Sequence, residues 1–170
     1  TSSTTTGVKV SLATTLIQIT GISGSDTIKN FENLTGSKYN DTLSGNSSSN
    51  TLNGLFGNDI LKGGLGKDTF VFNTATKYNV DKISDFNTTD DTIVLENSIF
   101  TKLATGALNK DYFKANITGK ATDTNDFIVY ETDSGKLFYD ADGSKTGISA
   151  VQIATLNTNL NLTYADFTVI

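Results

Sequence analysis

The side chains able to do chemistry in this chain are oxygen donors. Of 18 acidic residues 15 are Asp, and only Glu32, Glu96 and Glu131 are Glu. His and Cys are absent, which removes imidazole bases, thiolate or imidazole zinc sites, Ser-His-Asp triads and disulfides. Asp is a short, hard oxygen donor that tolerates tight turns, and its excess beside Gly and Asn points to turns that hold hard cations. Paired acids such as Asp90 and Asp91, or Asp140 and Asp142, have the composition of an acid–base pair. They sit in polar turns without convergent partners, so the chain is not expected to be an enzyme.

The spacing of the donors shows which elements must position them. Glycines fall at Gly36, Gly45, Gly54 and Gly63, in steps of nine. Five residues after each stands Asp41, Asn50, Asp59 or Asp68, and two further on Leu43, Leu52, Leu61 or Phe70. An earlier copy reads Gly21-Ile22-Ser23-Gly24-Ser25-Asp26-Thr27-Ile28, joined to the rest through an insert from Asn30 to Thr35. Gly and Asn supply positive φ, so six residues of each unit make a turn. The other three point one apolar side chain inward, as a short strand does. Two units form an 18-residue coil, and stacked coils make a flattened solenoid. Every ninth position then forms two columns, one carrying Asp26, Asp41 and Asp59, the other Glu32, Asn50 and Asp68. Neighbouring carboxylates in a column repel unless something positive lies between them.

Gly63-Gly64-Leu65-Gly66-Lys67-Asp68-Thr69-Phe70 resembles GGxGxDxUx, the calcium-binding nonapeptide of RTX proteins. Leu55-Phe56-Gly57-Asn58-Asp59-Ile60-Leu61 and Lys38-Tyr39-Asn40-Asp41-Thr42-Leu43 are looser copies. The resemblance implies Ca²⁺ between turns 18 residues apart, held by Asp side chains and turn carbonyls. Carried over, one site uses Asp41 and Asp59 with the carbonyls of Ser37, Tyr39, Gly54 and Phe56. A second pairs Asn50 with Asp68, and a third Asp26 with Asp41. Ile22, Gly24, Gly36, Lys38, Asn46, Ser48, Gly63 and Leu65 stand at matching turn positions and complete the implied ligand set. Two to four ions are expected. Asn50 offers only an amide oxygen, which lowers the charge and the affinity of its site.

The expected fold is all-β: a parallel β-roll (a short right-handed β-solenoid) over 21–72, N-terminal strands over 1–20 leading into it, and a β-rich cap over 73–170 with one or two short helical turns. The three segments form one cooperative unit. Val8, Val10 and Leu12 alternate as on a strand, Leu16–Ile19 is a second, and Phe70–Phe72, Asp126–Glu131, Lys136–Tyr139 and Ile148–Leu156 follow. The stretch Asp81-Lys82-Ile83-Ser84-Asp85-Phe86 resembles the DxIxDF segment after the family's roll. There Asp residues, here Asp81 and Asp85, help close the last calcium sites. Asp140-Ala141-Asp142-Gly143-Ser144 begins like an EF-hand loop, but Val151 stands where the bidentate Glu belongs, so a plain turn and an accessory Ca²⁺ site both remain open. The C-terminal Tyr164–Ile170 reads as a final cap strand or, by the resemblance, as an uncleaved type I secretion signal.

Composition sets the remaining expectations. All 13 basic residues are Lys and the net charge is −5, which argues against nucleic acid as a partner. No apolar run approaches the length of a transmembrane helix. Apolar residues make up 36% and charged residues 18%, below the usual ~45–50% and ~25%. So thin a core needs backbone ladders or bound ions. The resemblance implies the calcium-binding C-terminal part of a large secreted bacterial protein (adhesin, toxin or exoenzyme) that folds outside the cell or at its surface. Type I secretion machinery is its expected partner, and a monomer its expected state. The second reading is a carbohydrate- or surface-binding module, as in adhesins or alginate epimerases, with Tyr39, Phe56 or Tyr78 stacking on a surface glycan.

Overall fold

A computed structural model describes residues 6–20, 24–74 and 79–170. The nine-residue period becomes short strands dealt alternately to two sheets. One sheet takes β1 (Lys9–Ser11), β5 (Thr42–Ser44), β7 (Ile60–Lys62) and β9 (Asp81–Ile83); the other takes β4 (Asn33–Thr35), β6 (Thr51–Asn53), β8 (Thr69–Phe72) and β10 (Thr92–Leu95). All of these pairings are parallel, and Leu43 lies opposite Leu61, as Leu52 lies opposite Phe70. Because strand side chains alternate, the middle residue of each repeat strand faces inward, and in β9 the inward residue is the last, Ile83, with Lys82 exposed. Leu43, Leu52, Leu61, Phe70, Ile83 and Ile93 are at most 1% exposed and fill the narrow space between the sheets.

Both sheets run on into the C-terminal half. The first continues through β15 (Val151–Thr155), β14 (Lys136–Tyr139), β13 (Ile128–Glu131) and β12 (Phe113–Asn116). The second continues through β16 (Phe167–Val169) and ends on β11 (Gly106–Ala107). β16 lies parallel to β10, with Phe167 opposite Ile93. The β13–β14 hairpin turns at Thr132–Gly135, where Gly135 takes φ +76° and its N–H donates to Glu131 O at 2.8 Å. Among the described residues two 3-10 turns, Lys110–Tyr112 and Tyr164–Asp166, supply the helical content. Tyr164 to Asp166 is therefore a capped turn and only Phe167–Val169 a strand, and Phe113 opens β12 directly after the first of the two turns. Phe86, Phe100, Tyr130, Tyr139, Ile153 and Phe167 belong to the same buried cluster as the roll's leucine rows. Phe86 packs 5.9 Å from Phe70, and Phe100 meets Tyr139 edge-on at 5.1 Å.

The start of the roll differs from the expectation. The first coil consists of β1 and β4, and the insert carries β4, whose Leu34 pairs in register with Leu52. The segment expected as the first copy instead joins the antiparallel ribbon β2 (Gln18–Ile19) and β3 (Ser25–Asp26), an excursion between β1 and β4. The physical reason is that Val8-Lys9-Val10 presents its apolar residues in phase with Leu43, so β1 fills the position that the Asp26 unit would have taken.

Candidate metal centre: two columns of stacked turn carboxylates

Each column is built by one repeated hydrogen bond. The N–H of a position-six residue donates to the side-chain oxygen of its counterpart in the next coil. On one edge Asp41 N donates to Asp59 Oδ1 at 2.7 Å and Asp59 N to Asp81 Oδ1 at 3.0 Å. On the other, Asn50 N donates to Asp68 Oδ1 at 2.8 Å and Asp68 N to Asp91 Oδ1 at 3.0 Å. Asp41, Asn50, Asp59, Asp68 and Asp81 are at most 2% exposed, and Asp91 is 7% exposed. Burial raises the Asp59 carboxyl to about 6 and that of Asp81 to about 7, with Asp41 pushing Asp59, and Asp59 pushing Asp81, the same way. Asp68 and Asp91 move upward for the same first reason. Among the described residues the only ion pair is Lys136 Nζ with Glu131, at 3.9 Å, so no described lysine neutralises either column.

The second oxygen of each side chain divides the columns in two. Asp41 Oδ2 accepts from Ser37 N, Asn50 Oδ1 from Asn46 N at 2.7 Å and Asp91 Oδ2 from Asn87 N at 2.9 Å. Asp59 Oδ2 and Asp68 Oδ2 are buried and receive no hydrogen bond. The cause lies in the turns. Leu55 and Gly64, at the corresponding position, adopt φ +66° and +104°, which swings their N–H groups away to Asn53 Oδ1 and Asp85 Oδ2, each at 3.0 Å. Gly54 and Gly63 sit against these two bare oxygens, where any Cβ would collide. Gly57 and Gly66 bring the next turn so close that a Cβ there would lie 2.7 Å from Tyr39 O and 2.8 Å from Ser48 O. A buried carboxylate oxygen with no donor is destabilising without a cation, and turn carbonyls close by are the hard donors Ca²⁺ prefers. The residues present therefore fit a calcium ion at Asp59 and at Asp68. Among the described residues no three acidic side chains converge, so carbonyls must supply most of any coordination shell.

The remaining candidates fall into distinct places. Asp26 does not stack on Asp41: it is exposed on β3 and accepts from the Thr20 hydroxyl, while Val8 N donates to Asp41 Oδ1 at 2.6 Å. Gly24 lies in the same ribbon, where an added Cβ would meet nothing within 4 Å, and Ile22 and Tyr78 lie outside the described residues. Glu32 is exposed and contributes its carbonyl, which accepts from Asn50 Nδ2 at 3.2 Å. Asp81 extends its column, whereas Asp85 leaves it and binds Gly63 N and Gly64 N, each at 3.0 Å, clasping the last repeat turn. Asp91 is the functional position that the sequence reading assigned to no column. Its signal was present: Asp91-Thr92-Ile93-Val94-Leu95 copies Asp68-Thr69-Phe70-Val71-Phe72, but 23 residues on instead of 18. In the Asp140 loop, Gly147 N and Ile148 N donate to Asp142 Oδ2 at 3.0 and 2.9 Å, and Asp142 Oδ1 is buried without a partner. Burial, with Asp142 alongside, pushes the Asp140 carboxyl upward.

A parallel β-roll with glycine-lined turns and, on two buried carboxylates, one oxygen each without a donor defines a cation-binding solenoid. Residues 32–71 match the family model of the RTX calcium-binding nonapeptide repeat, in four copies. No curated protein matches the chain. Among solved structures the chain is similar to extracellular lipase LipA from Serratia marcescens, at 18% identity and a TM-score of 0.41. The similarity covers 91% of this chain and 24% of the lipase chain, so the chain spans about a quarter of that protein.

Proposed function

We propose that the chain is the calcium-gated folding unit of a secreted bacterial protein, and that its two columns close only when Ca²⁺ replaces the missing donors. The observation that carries this reading is the pair of buried, unpartnered oxygens on Asp59 and Asp68. Two to four ions are held, with Asp59 and Asp68 as the principal ligands and Asp41, Asn50, Asp81 and neighbouring turn carbonyls completing the sites. Bound calcium supplies the positive charge that the columns lack. The chain's own part is to stack the donors, to exclude water from them with its leucine rows, and to keep the turns open with glycine. Each ion taken up only by the folded state stabilises it by about 2.7 kcal/mol at a hundredfold excess over its dissociation constant. Two ions give roughly 5 kcal/mol, which is comparable to the stability of a small domain.

Low-calcium cytoplasm then leaves the chain unfolded and able to thread a secretion channel, and extracellular calcium folds it. The shared core makes roll and cap one cooperative unit. Export by type I machinery, with Tyr164–Ile170 in the signal, belongs to this proposal, as does the monomeric state. Circular dichroism in EGTA and then in millimolar Ca²⁺ tests it. The ordered β spectrum must appear on calcium addition, and an EGTA-treated chain already fully ordered refutes the proposal.

A second reading rests on a groove of about 510 Å³ lined by Thr6, Lys9, Lys38, Tyr39, Asn40 and Thr42, a mix of polar donors and one aromatic ring that suits a surface glycan. Lys38 Nζ lies 5.3 Å from the Tyr39 ring centroid, so a sugar must displace it to stack. A glycan array with wild type and Tyr39→Ala decides; equal signals from both remove this reading.

A further inference from the structure

The segment that joins β8 to β9 carries a side chain that the repeat does not explain. Asn79 is 6% exposed. Its amide nitrogen donates to Leu55 O at 3.0 Å and to Thr74 Oγ1 at 2.8 Å, and the Thr74 hydroxyl donates to the same Leu55 carbonyl at 2.7 Å. A carbonyl accepts only from the nitrogen of an amide, so this contact fixes which way the group points. Asn79 Oδ1, on the other side, is buried with no hydrogen bond. Leu55 lies in the turn that Asp59 closes, and Asp59 Oδ2, the other bare oxygen on this edge, rests against Gly54, the residue before Leu55. Asp81, two residues beyond Asn79, stacks directly on Asp59 through the Asp59 N–H. One turn is thus bordered by two buried acceptors without donors and by a second carboxylate. Asn79 lies outside the matched repeats, which end at residue 71.

We propose that Asn79 Oδ1 and Asp59 Oδ2 ligate one calcium ion at the end of the roll. A non-repetitive residue, not another nonapeptide, then supplies the closing donor on this edge. The amide divides its work: the nitrogen locks the Leu55 turn and the oxygen holds the ion. A neutral amide oxygen beside carboxylates is a donor set that Ca²⁺ accepts. The inference rests on the calcium reading given above.

The test counts bound calcium by native mass spectrometry in the full chain, in Asn79→Ala and in Thr74→Val. Asn79→Ala must bind one ion fewer than wild type. Thr74→Val must melt at a lower temperature with its count unchanged, because it weakens the lock and leaves the oxygen in place. An unchanged count in Asn79→Ala overturns the proposal, and so does loss of the ion in both variants, which assigns the effect to the lock. Should Asn79→Ala not fold, anomalous scattering from calcium-grown wild-type crystals decides. An ion about 2.3–2.6 Å from Asn79 Oδ1 supports the assignment; an ion at Asp59 with none at Asn79 overturns it. Wild type that takes up no calcium overturns both this proposal and the reading it rests on, whereas wild-type uptake with an unchanged count in Asn79→Ala overturns this one alone.

Discussion

Without calcium the chain should lose stability as pH rises, the reverse of ordinary acid denaturation. Asp81 carries most of the effect, with its carboxyl raised from 3.8 to about 7 by burial and by Asp59 alongside. The native state therefore binds more protons than the unfolded state between about pH 4 and 7, and stability falls with pH across that window. The full shift of about three units corresponds to roughly 4 kcal/mol, of which about 2 kcal/mol is lost between pH 5 and 7. Asp59, raised to about 6, acts in the same direction, but the two carboxylates interact, so their contributions do not simply add. A loss of this size is a large share of the roughly 5–15 kcal/mol that holds a domain together. Circular dichroism of the calcium-stripped chain at pH 5 and pH 8 measures it: the residual β structure held at pH 5 must be lost at pH 8. Asp81→Asn should flatten the dependence, because an amide oxygen still accepts the Asp59 N–H, as the Asn50 side chain accepts from Asn46 N in the other column. A metal-free chain as stable at pH 8 as at pH 5 would refute the claim that these carboxylates are buried without neutralising partners.

Three further outcomes are expected. Gly63→Ala forces a methyl group against Asp68 Oδ2 and should cost about 1–3 kcal/mol, read as a higher calcium midpoint in circular dichroism; an unchanged midpoint contradicts the tight turn. Leu55→Gly relieves the +66° φ and should gain about 1 kcal/mol, raising the calcium-loaded melting temperature by about 2–4 °C, whereas a lower temperature means that the side chain's packing outweighs its backbone strain. Phe167→Ala, at 1% exposure on β16, should cost about 3–5 kcal/mol in a urea melt and lower roll and cap signals together; a roll that melts unchanged would separate the two halves.

The glycine and leucine steps made the middle of the fold legible, because a nine-residue period in which Leu43, Leu52, Leu61 and Phe70 must all face inward permits little else. The hairpin at Gly135 was legible for a similar reason, with a glycine turn between two alternating strands. Position of the first coil was not. Asp26-Thr27-Ile28 has the same local chemistry as Asp59-Ile60-Leu61, and only the competition with Val8-Lys9-Val10 for the place beside Leu43 decides which segment enters the roll. Asp91 reads as a turn acid and not as a column member because the connection before β10 is longer than a repeat turn, so the residue keeps its place in the column while losing its place in the period. The bare oxygens of Asp59 and Asp68 depend on where the Leu55 and Gly64 N–H groups point. That is set by backbone dihedrals and by Asp85, neither of which a spacing rule contains.

Among the described residues the two sheets end on β1 and β4 at the start of the roll, while at the opposite end they run on into the C-terminal strands and finish on β12 and β11. Between these two ends the molecule can grow like a ruler. Eighteen residues spliced in after Asn53, in phase with the glycines, would lengthen it by one strand spacing, about 4.8 Å, and add a step to each column without disturbing either terminus. Natural relatives with more or fewer copies would then differ in reach and in the number of ions they collect, while the closing pieces stayed the same.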